Sequence, residues 1–197
     1  MTGAADGLGI ASMTEVQVAG DSDIPGVVAT LAEAFATDPV LSFLFEDPAR
    51  RPSLLAAFFA NRLAGGRGFD EVVVPADAAD GRSCAAVWVP PAEPGGPGPD
   101  FAAVGAANMA LLGEEWAVER LAPLAPMMEA HPLTPHWYLA FVGTAASARG
   151  RGLASACISE VTRRCDATGH GAYLESSDPA NVPLYERHGF SVTSEVT

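Results

Sequence analysis

One stretch of the chain leaves little freedom for folding. His136-Trp137-Tyr138-Leu139-Ala140-Phe141-Val142 reads as a buried strand. A loop, Gly143–Gly150, leads into Arg149-Gly150-Arg151-Gly152. From there Leu153, Cys157, Val161 and Cys165 recur every fourth residue, one face of a helix running from about Arg151 to Ala167. Gly169–Gly171 turns the chain into another strand, Ala172–Glu175. A glycine-rich turn thus sits between a strand and a helix start, where the first amide N–H groups have no partner within the helix. Glycine lets the backbone turn tightly and approach a ligand, and the helix dipole favours an anion there. Arg149 and Arg151 add positive charge, and a pyrophosphate is the group such a turn suits.

The rest of the chain supplies layers around that unit. Glu15–Val18 alternates as a short strand, and Asp21, Ser22 and Asp23 offer a cap for a helix carrying Val27, Val28, Leu31, Ala34 and Phe35. That helix should stop before Asp38-Pro39. Phe43, Leu44 and Phe45 form an apolar cluster, and a second helix is expected over Pro52–Leu63. Glu71–Pro75 and Ser83–Val89 read as strands joined by a turn at Asp80-Gly81. Pro90–Pro99 is a proline- and glycine-rich connector, and Asp100–Leu112 and Glu114–Met128 read as helices, the second interrupted by Pro123 and Pro126. Asp178–Asn181 caps a short helix, Val182–Arg187, and Phe190–Val196 is expected as a last strand. The expected architecture is a three-layer α/β fold, with residues 1–13 a disordered arm and 14–197 one domain.

Charge narrows the partners. Eleven basic residues, all Arg, face 24 acidic ones for a net charge of -13. Nucleic acid and anionic membrane both need a cationic footprint, so neither is expected as a partner. A cationic substrate suits such a surface. The three cysteines cannot form a disulfide framework and are expected in the core, and the four histidines lack metal-ligand spacing. With no signal peptide and no run of membrane-spanning length, a cytoplasmic location is expected.

A dinucleotide fold would put its glycines directly after the strand as G-x-G-x-x-G, with an acid about twenty residues on, where Glu175 does lie. Here several residues intervene, Ser155 replaces the third glycine, and too little chain follows Glu175 for the other half of the sheet. Arg149-x-x-Gly152, followed by Asn181-Val182-Pro183-Leu184-Tyr185-Glu186-Arg187-His188-Gly189-Phe190, instead resembles the signature of the GNAT superfamily of N-acetyltransferases. The runs Trp137-Tyr138-Leu139, Tyr173-Leu174-Glu175-Ser176 and Pro183–Arg187 look particularly like those of puromycin N-acetyltransferase and its bacterial relatives, over about Trp137–Val196.

The resemblance implies the GNAT fold, a mixed and mostly antiparallel sheet with one splayed pair of strands. It implies acetyl-CoA as cosubstrate and a primary amine as acceptor. Phe141, Val142 and Thr144 would line the pantetheine arm, and Arg149, Gly150, Arg151, Gly152, Leu153, Ala154 and Ser155 would hold the pyrophosphate. Asn181 would face the pantetheine or the thioester. Tyr185 would be the general acid for the departing thiolate, and Glu175, with His136 second, the base for the amine. A backbone N–H near Val142 would meet the oxyanion, and Asp38, Phe43 and Phe45 are loose candidates for the amine pocket. A non-catalytic CoA-binding sensor is the alternative. Relatives add a further hairpin strand beyond Phe190–Val196; strand exchange into a homodimer is one expected consequence of a sheet lacking it.

Overall fold

The computed structural model describes residues 14–65, 69–76, 83–92 and 101–195. The expected arm, the Asp80-Gly81 turn and most of the proline-rich connector lie outside them. Alternation of apolar residues builds a sheet with two buried faces. Its strands are β1 (Val16–Val18), β2 (Glu71–Pro75), β3 (Cys84–Val89), β4 (His136–Thr144) and β5 (Gly171–Tyr173), side by side in chain order. The first four run antiparallel and β5 runs parallel to β4. Val72, Val74, Ala85 and Val87 point to one face, against helices α1 (Ile24–Ala34), α2 (Pro39–Leu44) and α3 (Arg51–Gly65). Val73, Cys84, Ala86 and Trp88 point to the other, against α7 (Leu153–Thr168). Odd and even positions of each strand thus serve different cores, as the two-residue period of a strand requires.

The strand β4 breaks that parity, and the break shapes the site. Phe141 pairs with Val87 but Leu139 pairs with Trp88, leaving Ala140 as an extra residue. Such a bulge bends and twists the strand. Trp137, Leu139 and Val142 therefore all pack on the α7 side, whereas Phe141 joins the opposite core beside Phe35, Phe58 and Phe59. Pairing with β5 covers only His136–Tyr138 against Gly171–Tyr173 and stops just before the bulge. From Leu139 to Thr144 β4 has no pairing with β5, in the stretch where the resemblance implies a splay.

The helices over the first face are tied down by arginines. Arg51 donates to the carbonyls of Phe45 (2.7 Å) and Glu46 (3.0 Å), and Arg120, on α5 (Glu114–Leu121), donates to that of Leu44 at 2.7 Å. These bonds satisfy carbonyls at the end of α2 that have no helical partner. The start of α2 is capped by Asp38, whose Oδ1 accepts from the Leu41 N–H at 2.8 Å. The sequence placed a break at Asp38-Pro39; the structure makes that break the start of a six-residue helix carrying Phe43 and Leu44. Helix α4 (Phe101–Leu112) packs on α3, where the Asn61 amide donates to Asn108 at 3.2 Å. The expected second helix is α5, a 3-10 turn at Ala122–Leu124 and α6 (Ala125–Glu129), broken at its prolines.

Helix α1 lies directly on β4 at Gly143. A Cβ there would sit 2.8 Å from the Ala34 Cβ and 3.1 Å from a Leu31 methyl, inside normal contact distance. Gly143→Val is expected to lower stability by about 1–3 kcal/mol through overpacking. A chemical-denaturation midpoint shifted downward would show it; an unchanged midpoint would mean that α1 is not fixed against the strand.

Two expectations need correction. Phe190–Val196 is not a strand: residues 190–195 pair with no strand among the described residues, and from Ser191 onward they are exposed. The alternation of Phe190 and Val192 was too short a signal without a paired neighbour. The Ala172–Glu175 strand ends at Tyr173, because Leu174 and Glu175 lie past the point where β4 and β5 diverge.

Candidate active site

Two polar clusters are built on β4, β5 and the segments that follow them. The first is the glycine turn. A 3-10 turn at Ala146–Ala148 leads from β4 into it, and the Ala146 N–H is held by Glu33 of α1 at 2.8 Å. Gly150 and Gly152 have φ of +75° and +76°, the left-handed region that L side chains rarely adopt. A Cβ at either position would meet no atom within 4 Å, so the turn faces open space. Gly152 caps α7 without any side-chain bond, leaving the N–H groups of the first turn directed outward. Arg149 is exposed and donates from Nε to the Thr144 carbonyl at 3.3 Å; Arg151 is exposed. Leu153 is buried in the core under α7, and Ala154 and Ser155 are half-buried.

With the turn as the pyrophosphate site that the resemblance implies, Gly152→Val is expected to weaken acetyl-CoA binding by at least about tenfold. The cause is backbone strain: a β-branched side chain at positive φ costs on the order of 1–2 kcal/mol or rotates the peptide away. No protein atom blocks the new side chain, so the fold should survive. Calorimetric titration with acetyl-CoA would measure it; wild-type affinity would remove the turn from the binding site.

The Ser155 hydroxyl is engaged elsewhere. His188, just after α8 (Val182–Glu186), bridges Ser155 Oγ at 2.9 Å from Nε2 and Ser159 Oγ at 3.2 Å from Nδ1. Burial and then Arg187 push its pKa down, so the ring is neutral at neutral pH and offers one donor and one acceptor. This clamp fixes the exit of α8 to the first turns of α7. Tyr185, within α8, packs its ring on Phe190, and burial followed by the Asp38 carboxylate pushes its phenol pKa up. Asn181 is exposed at the start of α8 and makes no side-chain cap bond.

The second cluster surrounds Glu175. Tyr138 and Tyr173 are register partners on β4 and β5, so their rings lie on one face, 6.1 Å apart. Glu175 follows two residues later, its Oε1 3.3 Å from Nδ1 of His131. Burial first, then the Glu175 carboxylate, raises both phenols, Tyr173 to about 12. His136 joins through ring contacts with His131 and Tyr173 at 4.9 and 5.7 Å. Its Nδ1 donates to the Thr134 carbonyl at 2.7 Å, and its Nε2 is buried without a partner among the described residues.

The loose pocket candidates separate. Phe45 is buried in the core against Phe58 of α3. Phe43 is exposed. Asp38 accepts a hydrogen bond from the Ser177 hydroxyl, which joins the α1–α2 break to the segment after β5. Asp38, Ser177 and Tyr185 are thereby neighbours. Sequence reasoning did not select His131, Tyr138, Tyr173 or Ser177. The alternation of His136 and Tyr138 could have placed both on one face, whereas no pattern marks His131.

A sequence model of the acetyltransferase (GNAT) family matches residues 104–190, which runs from α4 through the splay to the end of the Tyr185 motif. The chain has the GNAT fold. An uncharacterized N-acetyltransferase of Schizosaccharomyces pombe is 41% identical over 54 residues. That stretch is 27% of this chain, and the chain spans only 22% of that relative's length. A crystal structure from Corynebacterium glutamicum, described as histone acetyltransferase HPA2 and related acetyltransferase, superposes with a TM-score of 0.62 at 27% identity, over 91% of this chain and 88% of that one. A transcriptional regulator from Bacillus halodurans, at 15% identity and a TM-score of 0.52 over 92% of this chain and 95% of that one, shares the fold. Together these likenesses show the fold and a match of residues 104–190 to the acetyltransferase (GNAT) family model.

Proposed function

We propose that this chain transfers the acetyl group of acetyl-CoA to the primary amine of a small, cationic molecule. One observation carries the reading: a left-handed, doubly glycine turn opens α7 on the same chain unit in which β4 runs on beyond its pairing with β5, with the half-buried carboxylate of Glu175 following β5 and a raised-pKa tyrosine on α8. The pyrophosphate would take the amides from Gly150 to Ser155, with Arg149 and Arg151 beside it. The pantetheine arm would follow the unpaired edge of β4 at Phe141, Val142 and Thr144 towards Asn181. That edge offers backbone groups to the amides of the arm, as a missing strand would.

The chemistry then divides between the two clusters. The acceptor arrives as an ammonium ion and must lose a proton before its nitrogen attacks the thioester carbon. Glu175, inside the splay, is the base. As the carbon–sulfur bond breaks, the Tyr185 phenol donates its proton to the thiolate and is reprotonated by the second N–H proton that the attacking nitrogen releases as it becomes an amide. A β4 backbone N–H near Val142 would meet the oxyanion. Asp38 and Glu175, within a net charge of -13, favour a cationic acceptor. The resemblance to puromycin N-acetyltransferase points the same way, towards an aminonucleoside-like molecule, a polyamine or a peptide amine.

Thiol release from acetyl-CoA with a panel of amines tests the reading. Turnover with cationic primary amines, and little with neutral or acidic ones, is expected. Acetyl-CoA binding without turnover on any amine would favour a sensor domain.

A further inference from the structure

Glu175 is the inner member of a pair. The side chain of His131 is 37% exposed and that of Glu175 18%, with the two in contact at 3.3 Å. His131 lies between α6 and β4, outside every motif that marks the fold. Three rings hold it: His136, Tyr138 and Tyr173, at centroid distances of 4.9, 4.8 and 5.0 Å.

A base beside a bound substrate must shed its proton before the next turnover. The groups around Glu175 differ in whether they can take it. The Tyr138 and Tyr173 phenols hold their own protons, since burial and Glu175 raise both. His136 is bound through Nδ1 to the Thr134 carbonyl, and its Nε2 is buried. The His131 imidazole touches the carboxylate with one ring nitrogen, reaches solvent, and has a second ring nitrogen from which a proton can leave.

We propose that His131 is the proton exit of the acetyl-transfer site, taking from Glu175 the proton that the acceptor amine releases and passing it to solvent. This rests on the proposed function, with Glu175 as base. The ammonium N–H proton moves to a Glu175 oxygen, and the freed lone pair forms the nitrogen–carbon bond. The carboxyl O–H proton then moves to His131 Nδ1, the acceptor nitrogen when Nε2 carries the hydrogen. The Nε2 proton leaves to water. The groups that face His131 are Glu175 and Tyr173 from the β5 side and His136 and Tyr138 from β4. Arg62 of α3 acts on Tyr138 from farther away.

His131→Gln, Glu175→Gln and a control, His170→Gln, decide it. His170 is an exposed residue after α7, bonded to the Thr168 hydroxyl. In His131→Gln, acetyl-CoA affinity should be unchanged and kcat should fall on the order of tenfold, less than the ~10²-fold loss of a direct acid–base group. A tertiary-amine buffer can carry the proton but forms no stable amide. It should raise kcat of His131→Gln in proportion to its concentration and leave the wild type and the control unaffected. A wild-type kcat in His131→Gln, or a reduced one indifferent to buffer, would overturn the exit. Glu175→Gln should lose at least ~10²-fold in kcat and gain nothing from the buffer, since the proton no longer has a first acceptor; rescue of Glu175→Gln by the buffer would overturn the route through His131. A wild-type protein that binds acetyl-CoA but acetylates no amine would overturn the function, and the exit with it.

Discussion

Tyr185→Phe is expected to lower kcat by on the order of 10²-fold or more and to leave acetyl-CoA affinity nearly unchanged. The substitution removes one hydroxyl and keeps the ring that packs on Phe190, so α8 should stay in place. Burial and the Asp38 carboxylate hold the phenol protonated, the state a general acid needs. In the proposed mechanism its proton is required only when the carbon–sulfur bond breaks, so the loss belongs to kcat and not to ground-state binding. Steady-state thiol release paired with calorimetric binding separates the two. An unchanged rate and pH profile would remove Tyr185 from the mechanism.

The largest stability effect is expected far from the chemistry, at Asp70→Ala. Asp70 precedes β2 and pairs bidentately with Arg62 of α3, the second contact being 3.1 Å. Both side chains are buried, 7% exposed for Arg62 and 3% for Asp70. Burial raises the Asp70 pKa by more than Arg62 lowers it, so the pair does not fully recover its desolvation. Removing only the carboxylate takes away the charge that balances a buried guanidinium, which costs about 3–5 kcal/mol. Replacing both residues by apolar ones, Arg62→Met with Asp70→Leu, should restore most of that loss. Because the folded pKa of Asp70 is raised, its protonation favours the fold. That contribution is full below the unfolded value and is lost as pH rises through the folded one, so acid unfolding should not originate here. Denaturation midpoints of the single and double variants measure all of this; an unchanged midpoint in Asp70→Ala would contradict it.

Much of this fold was written in periodicity. The four-residue stripe from Leu153 to Cys165 is the buried face of α7, and all three cysteines are core residues. The runs Glu71–Pro75 and His136–Val142 are strands because β-branched and aromatic residues suit a sheet buried on both faces. What periodicity could not show was the extra residue at Ala140. A bulge changes which face each later side chain uses, and nothing in the run His136–Val142 marks where it falls. The tail beyond Phe190 misled for a related reason: alternation predicts a strand only where a neighbour exists to pair with it.

The candidate site divides the same way. The glycine turn and Tyr185 are contiguous motifs and could be read directly. The surroundings of Glu175 come from three separate segments. Tyr138 and Tyr173 meet through strand register across 35 residues of sequence, and His131 arrives through a loop. Asp38 was visible as a helix terminator, but its bond to Ser177 spans 139 positions and exists only in the folded chain.

The central claim, acetyl transfer from acetyl-CoA to an amine across the β4–β5 gap, is tested most directly by following both products in one reaction. The free thiol and the acetylated amine should appear in equal amounts with a cationic primary amine, saturably in each substrate. Tight acetyl-CoA binding with no thiol release for any amine, or thiol release without an acetylated product, would contradict it.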